Sequence, residues 1–217
     1  MSIPKIIHQI WIGPKKRPDI WMDSVKDFCK NHNYEYVLWD DNKVSELTLT
    51  NQTFYELEKT FNGKSDILRY EILYKFGGVY IDADSFITNP VKLDQLITEF
   101  NDDVGFGFEV NQGNDVLLCG GVCLSKTNSR FIKLCIDEIP KRDMSLMAWQ
   151  SIGPRLITDL WFRYKTTISV KTYESKIFYP IRWHGINDIN MHTKMDLPPE
   201  SVMFQYGYST NNLESQI

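Results

Sequence analysis

No stretch of this sequence approaches the roughly 18 apolar residues that a membrane-spanning helix needs, so no helix is expected to cross a bilayer. The opening "MSIPKIIHQIWIG" also lacks the basic-then-apolar layout of a secretory signal. A soluble intracellular protein, cytoplasmic by default, is expected. Cysteine is scarce. The four residues, Cys29, Cys119, Cys123 and Cys135, form no C-x-x-C pair, and Cys119 and Cys123 have no nearby histidine. That pattern argues against zinc and demands no oxidising compartment, and buried free thiols are expected. Positive charge is not in excess: 24 basic against 28 acidic residues leave a net charge of −4. A broad nucleic-acid-binding surface needs a basic face and is disfavoured. Internal repeats, low-complexity segments and linkers are missing. So are the G-x-G-x-x-G and G-K-S/T phosphate loops.

What is present reads as a globular chain. Hydrophobic residues make up 42% and charged residues 24%, a balance that folds rather than stays disordered. A length of 217 residues suits one domain, or one domain with a small appendage, and is enough to bury a full core. Six Trp and eleven Tyr are more than a core requires. Flat amphipathic rings suit sugar and base surfaces, although most of these are expected in the core.

Periodicity outlines the elements. Residues 5–13 read as a buried strand and 19–31 as an amphipathic helix with Ile20, Trp21, Val25 and Phe28 on one stripe. Residues 34–40 alternate as a strand, and 52–61 form a short helix. "SDILRYEILYKF" (65–76) reads as a helix with Ser65 as N-cap, stopping at Gly77-Gly78. "VYIDA" follows as a strand. A helix near 92–100, strands at 104–109 and 117–125, and helices at 129–139 and 153–164 come next. Strands near 167–173 and 176–181 follow, and the tail from 182 is irregular. Alternating strands and helices predict a mostly parallel sheet covered on both faces, with ligands bound beyond the carboxyl ends of its strands.

"GGVYIDADSF" (77–86) places Asp82 and Asp84 at such an end. On a strand, positions i and i+2 share a face, and two converging carboxylates repel unless a cation separates them. A hard divalent ion, Mn²⁺ or Mg²⁺, takes oxygen ligands and shares them with substrate phosphates. The bland alternative is a solvated turn, where Asp is favoured anyway. The helix before the strand adds Asp66 and Arg69 at i, i+3. Arg69 is suited to an anion because it is always charged and binds bidentately; the bland reading pairs it with Asp66 alone. Tyr80, two residues before Asp82, shares its face and is placed to hydrogen-bond a diphosphate or ribose.

In order along the chain, "IPKIIHQIWIG", "SDILRYEILYKFGGVYIDAD", "SIGP" and "FYPI" resemble the DXD-containing glycosyltransferases of family 32. That family includes yeast-type α-1,6-mannosyltransferases and capsular-polysaccharide sugar transferases; more distantly, the chain resembles the glucosylating domain of large clostridial toxins. The resemblance runs from residue 3 to about 181, and 65–84 is its most specific part. It implies a GT-A fold, a Rossmann-like α/β nucleotide-sugar-binding sandwich. It further implies a single domain over 1–217, with 1–100 mainly for nucleotide-sugar and metal and 101–217 mainly for the acceptor side and C-terminal closure. It implies a retaining hexosyltransferase using Mn²⁺ or Mg²⁺, in which the departing diphosphate helps deprotonate the acceptor.

By the same resemblance Trp11 stacks on the base and Asp66 binds ribose or sugar hydroxyls. Arg69 binds the sugar or phosphate, and Tyr80 lies beside the diphosphate. Asp82 meets ribose or reaches the metal through water, and Asp84 binds the metal directly. Asp82, Asp84 and Arg69 are thus the catalytic candidates. A UDP-sugar donor is favoured, with GDP-mannose as the alternative, and the acceptor is a glycan or glycoconjugate. Relatives often end in His followed closely by Ser-Trp. Here Gln205 stands at the His position, Ser209 matches the Ser, and Thr210 replaces the Trp. His184 and His192 lie upstream as substitutes. Gly120-Gly121 stand where relatives show Asn, and are read as leaving room for the acceptor or for backbone hydrogen bonds. Glu109 is an acceptor-side candidate, or an ordinary strand-end acid. Two other function classes stand beside the enzyme: a nucleotide-sugar-binding module that has lost catalysis, and a nucleotidyltransferase or phosphohydrolase.

Overall fold

The computed structural model describes residues 2–113, 115–181 and 186–217. The elements run β1 (Ile6–Ile10), α1 (Asp19–His32), β2 (Glu35–Trp39), α2 (Asp41–Ser45), α3 (Gln52–Leu57), α4 (Phe61–Phe76), β3 (Gly78–Ile81), β4 (Ser85–Ile87), α5 (Pro90–Thr98), β5 (Val104–Gln112), β6 (Asp115–Ser125), α6 (Arg130–Glu138), α7 (Ala148–Ser151), α8 (Pro154–Tyr164), β7 (Val170–Tyr173), α9 (Ser175–Phe178) and β8 (Met203–Gln205).

A six-stranded sheet has the order β2-β1-β3-β6-β5-β7. β1 runs parallel to β2 and β3, and β5 runs parallel to β7. Only β6 among these runs antiparallel to its neighbours. The strands are rich in Ile, Val, Phe and Leu, and buried residues such as Ile7, Val79, Phe106 and Leu124 put the core on both faces. A separate two-stranded sheet pairs β4 with β8, setting Ser85 opposite Gln205.

Helix α4 is the centre of the molecule. It is buried on most of its surface, from Asp66 through Leu73, and so it carries charged side chains into the interior. It starts a turn earlier than the sequence suggests. Thr60 is the cap, accepting from Gly63 N, while Ser65 lies inside the helix with its Oγ on the Phe61 carbonyl. Asp66 and Arg69 are therefore not in the first turn. The helix ends where expected, because Gly77 and Gly78 both take positive φ, 65° and 91°. At Gly78 a Cβ would stand 2.5 Å from the Ile6 carbonyl, so glycine alone lets β3 pack beside β1.

Other differences have local causes. Ile20 is exposed, and α1 buries Trp21, Met22, Val25, Phe28 and Cys29 instead. Residues 175–178 are a helical turn, not part of a strand over 176–181. β7 is already the sheet edge, and the turn brings Tyr179 back so that its hydroxyl accepts from Val122 N at 2.9 Å. The tail from 182 was expected to be irregular, yet it contains β8. Three residues of a strand that pairs across more than a hundred positions carry no periodic signal of their own.

Candidate functional site

The parallel strands β1 and β3 end together, with Trp11 following the first and Asp82 the second. A cavity of about 310 Å³ opens there. Its walls include Trp11 and Ile12 after β1, Asp66 and Arg69 from α4, and Tyr80, Asp82 and Asp84 around β3. Glu109 from β5, Cys119 from β6, and Gln205 and Ser209 near the C-terminus complete the wall. Trp11, Asp66, Arg69, Tyr80, Asp82, Asp84, Glu109, Gln205 and Ser209, all singled out from the sequence, thus border one space. His192 lies elsewhere, stacked on Phe86 with ring centroids 3.9 Å apart and bonded to the Tyr206 hydroxyl. His184 falls outside the described residues.

The aspartates converge by a turn rather than by strand alternation. Strand β3 stops at Ile81, although Asp82 N still bonds the Gly121 carbonyl at 2.7 Å. The chain then reverses, with Ser85 N on the Asp82 carbonyl. Asp82 is held on both oxygens: Oδ1 accepts from Tyr80 Oη at 2.8 Å and Arg69 Nη2 at 3.3 Å, and Oδ2 accepts from Gln205 Nε2 at 2.8 Å. Asp84 Oδ2 accepts from Tyr208 N at 2.8 Å. Burial first, and the Asp82 charge second, push the Asp84 carboxyl up to about 6, while the Tyr208 amide pulls the other way.

Arg69 bridges two carboxylates, its Nη2 lying 3.3 Å from both Asp66 Oδ1 and Asp82 Oδ1. Its side chain is only 8% exposed, so this is an interior triad and not a surface pair. Its guanidinium also lies 4.6 Å over the Tyr80 ring. The Tyr80 hydroxyl donates to Asp82 and so helps fix that carboxylate at the cavity wall, which Tyr80 also lines. Burial pushes Asp66 up to about 7, with Arg69 opposing.

Three glycines make this crowding feasible. A Cβ on Gly121 would lie 2.7 Å from Asp82 Oδ2 and 3.0 Å from the Gln205 amide. On Gly120 it would meet Arg69 Nη1 at 2.7 Å, and on Gly153 it would meet Asp66 Oδ2 at 2.7 Å. Gly120-Gly121 therefore clear space for Arg69 and Asp82. The "SIGP" stretch gains a physical meaning in the same way: Gly153 seats Asp66, and Pro154 borders the cavity at the start of α8.

Trp11 is half-buried at the cavity edge, donating Nε1–H to the Lys15 carbonyl at 3.1 Å, with its ring centroid 5.7 Å from that of Tyr208. Tyr208, Lys15 and Tyr179 also line the space and were missed from sequence. Tyr208 hides because its contribution to Asp84 is a backbone amide, which any residue carries. Glu109 sits where the β5–β6 register shifts between Phe108 and Val110. Such bulges re-aim a side chain, and this one points Glu109 into the cavity beside Cys119.

The donor chemistry suits a hard cation, with oxygens from Asp82 and Asp84 and an amide at Gln205 that presents oxygen if turned over. Among the described residues no three His, Cys, Asp or Glu side chains gather at metal-binding spacing. An ion held here would complete its shell with ligand oxygens and water.

Residues 18–101 match the family model described as the glycosyltransferase sugar-binding region containing a DXD motif. The chain is 32% identical over 185 residues to an uncharacterized glycosyltransferase of Acanthamoeba polyphaga mimivirus, covering 70% of this chain and 73% of that one. It is 30% identical over 173 residues to inositol phosphoceramide mannosyltransferase 2 of Schizosaccharomyces pombe, covering 75% of this chain and 47% of the relative. The chain spans about half or less of the length of the yeast mannosyltransferases it matches. Among solved structures, a glycosyltransferase involved in the glycosylation of the major capsid of PBCV-1 superposes with a TM-score of 0.57 at 13% identity, covering 97% of this chain and 96% of that chain. The shared architecture is the GT-A fold.

Proposed function

Because the chain belongs to the glycosyltransferases whose sugar-binding region contains a DXD motif, we propose that it moves a hexose from a nucleotide-sugar to a glycan or glycoconjugate acceptor with retention of configuration. The observation that carries this reading is the meeting of Asp82, Asp84, Arg69, Asp66 and Trp11 in one cavity at the carboxyl ends of β1 and β3. Trp11 would stack on the base at the β1 end. Asp66 and Arg69, buried side by side, would grip sugar hydroxyls and the phosphate nearest the sugar. Glu109 on β5, two strands from β3, and Tyr179, held by β6 at Val122, would face the acceptor. Asp82 and Asp84 would hold Mn²⁺ or Mg²⁺, which supplies positive charge to the departing diphosphate.

The residues act mostly by being fixed beforehand. Arg69 is locked by Asp66, Asp82 and the Tyr80 ring, so its charge needs no reorganisation as the glycosyl bond breaks. No carboxylic acid needs to protonate the leaving group, because a diphosphate departs as an anion. For the sugar, the names of the yeast relatives favour mannose. A UDP-sugar is the donor class commonest in this fold, but Trp11 would stack on guanine as readily as on uracil.

Free-nucleotide release from GDP-mannose, UDP-glucose, UDP-galactose and UDP-N-acetylglucosamine, with and without Mn²⁺, tests the proposal. Metal-dependent release from one donor is expected, and GDP-mannose should lead. Tight nucleotide binding without any release would assign the chain to a binding module. Neither binding nor release would overturn the reading.

A further inference from the structure

We propose that the exposed apolar loop at residues 144–149, beside the cavity mouth, docks this protein on a lipid bilayer bearing anionic headgroups. The proposal stands apart from the choice of donor, and its test reads membrane binding rather than transfer. Eight large hydrophobic side chains are exposed among the described residues, and three of them, Leu146, Met147 and Trp149, fall within four positions. Their exposures are 49%, 62% and 46%, which for side chains of this size is a persistent cost in water.

Their position ties them to the site. Trp149 opens into α7, and its Cα lies 3.1 Å from where a Gly153 Cβ would stand, while the same point is 2.7 Å from Asp66 Oδ2. Helix α7 packs on α4, whose first residue, Phe61, is itself exposed and borders the cavity. Leu57, 62% exposed, precedes it. Apolar side chains thus flank the N-terminal end of α4 where the cavity opens.

Charge and shape favour a bilayer as the occupant. Residues 144–154 carry no charge. On either side stand the cations Lys141, Arg142, Arg155 and Arg163, paired among Glu138 and Asp159, with Asp143 as a third acid. Lys141 and Arg155 remain 65% and 57% exposed although they touch Glu138 and Asp159. Asp143 is exposed, and its carboxylate accepts from Ser145 N and Oγ, which shapes the turn. A loop tip bearing Trp, Met and Leu with flanking cations suits the interface of an anionic membrane, where Trp rings settle at headgroup depth. Seated this way, the cavity would face an acceptor anchored in the same membrane.

Co-sedimentation of the full chain with phosphatidylcholine vesicles, with and without phosphatidylserine, tests this. Binding to the phosphatidylserine vesicles is expected, weakened by high salt. A Leu146→Ser, Met147→Ser double variant should bind about tenfold or more weakly while its melting temperature and donor hydrolysis stay at the wild-type level. A blue shift of tryptophan fluorescence on vesicle addition should vanish in Trp149→Phe. Absence of vesicle binding, or equal binding by the double variant, overturns the proposal. So does a wild-type dimer in solution that the double variant dissolves, which would assign the loop to a second copy. Vesicle binding without any nucleotide-sugar turnover would sink the transferase reading and leave this one standing.

Discussion

The Gln205 side-chain amide donates to Asp82 Oδ2 at 2.8 Å, although 123 positions separate the two residues. Strand β8 achieves this by pairing Gln205 with Ser85, one residue beyond Asp84. The C-terminal segment is thereby stitched to the paired aspartates, and Tyr208 N adds a second stitch to Asp84. Further out, the Tyr208 hydroxyl donates to the Lys16 carbonyl, and Glu214 pairs with Lys15. The tail therefore closes over the side of the cavity that holds Trp11.

This arrangement makes Gln205→Glu informative. The variant swaps an N–H donor for an anion beside Asp82 and Asp84, leaving buried like charges together. In the absence of divalent ions the melt should fall by an amount equivalent to about 1–3 kcal/mol. Mn²⁺ should then stabilise the variant more than wild type, because a third carboxylate strengthens a site for a hard cation. Thermal melts across a Mn²⁺ titration check this. A metal response no larger than that of wild type would place the cation elsewhere.

Asp84→Asn should do the opposite. Asparagine still accepts from Tyr208 N but carries no charge into a buried position whose carboxyl is already pushed up to about 6. The metal-free protein should be as stable as wild type or more so at pH 8, by up to roughly 3 kcal/mol. The stabilisation by Mn²⁺ and the metal-dependent nucleotide release should both disappear. Retained release in a variant that melts normally would remove Asp84 from the metal site.

Arg69→Lys separates recognition from scaffolding. The sequence allowed Arg69 and Asp66 to be an exposed helix pair of little consequence, but both side chains are less than a tenth exposed. A lysine cannot reach Asp66, Asp82 and the face of Tyr80 together. The structural cost should be a lowered melt, of the order of 3 kcal/mol, as for a broken buried pair. The catalytic cost should be a fall in kcat larger than any rise in donor KM, since the charge matters most as the diphosphate leaves. An unaltered kcat in a destabilised variant would make Arg69 a purely structural residue.

The legible parts of the site were those written as local patterns. "SDILRY" followed by "GGVYIDAD" exposes a helix, a stop, a strand and two carboxylates within twenty residues, and the helix, the strand and the carboxylates all contribute to the cavity wall. That β1, β2 and β3 run parallel followed from their apolar runs and intervening helices, although their order in the sheet did not. What escaped was contact between distant segments. The strand β8 is too short to show a period, Tyr208 acts through its backbone, and the turn at Tyr179 depends on β7 being an edge. The role of Gly153 and Gly121 is visible only once Asp66 and Asp82 are known to press against them.

Gly121→Ala tests that last point. Gly121 does not have positive φ, so alanine brings no backbone strain. Its methyl would lie 2.7 Å from Asp82 Oδ2 and 3.0 Å from Gln205 Nε2, and these side chains must move. The expected result is a cooperative melt within a few degrees of wild type, with Mn²⁺-induced stabilisation and nucleotide release both sharply reduced. Wild-type metal response in Gly121→Ala would show that the Asp82–Gln205 contact has slack and does not define the site.

The final prediction concerns acid stability and lies behind the site, at His8. This side chain is 1% exposed. Trp39 Nε1–H donates to its Nδ1 at 3.2 Å, which assigns the ring proton to Nε2, 2.9 Å from the Gly77 carbonyl. His8 thus clamps the glycine that ends α4 and starts the chain toward Asp82. Burial chiefly, with the charge of Lys43 adding and the Gly77 carbonyl opposing, lowers its pKa to about 4. The unfolded chain takes up this proton near pH 6.5, the ordinary histidine value, while the folded chain resists it until about 4. Between those values the unfolded state holds more protons, so stability from His8 is present above pH 6.5 and is lost as pH falls toward 4. The full loss approaches about 3 kcal/mol. Asp66 works in the other direction. Its folded pKa is raised to about 7, so the folded state holds the extra proton above pH 3.8, and stability falls as pH rises toward 7. The two slopes partly cancel in wild type, and a single acid titration of that protein cannot assign either. Urea unfolding of wild type and His8→Gln at pH 7.5 and 4.5 does assign them. Glutamine keeps an N–H for Gly77 and cannot be protonated, so the variant should be weaker at pH 7.5 and should close the gap to wild type at pH 4.5. A gap that stays constant with pH would mean that His8 is protonated as easily in the folded chain as in the unfolded one.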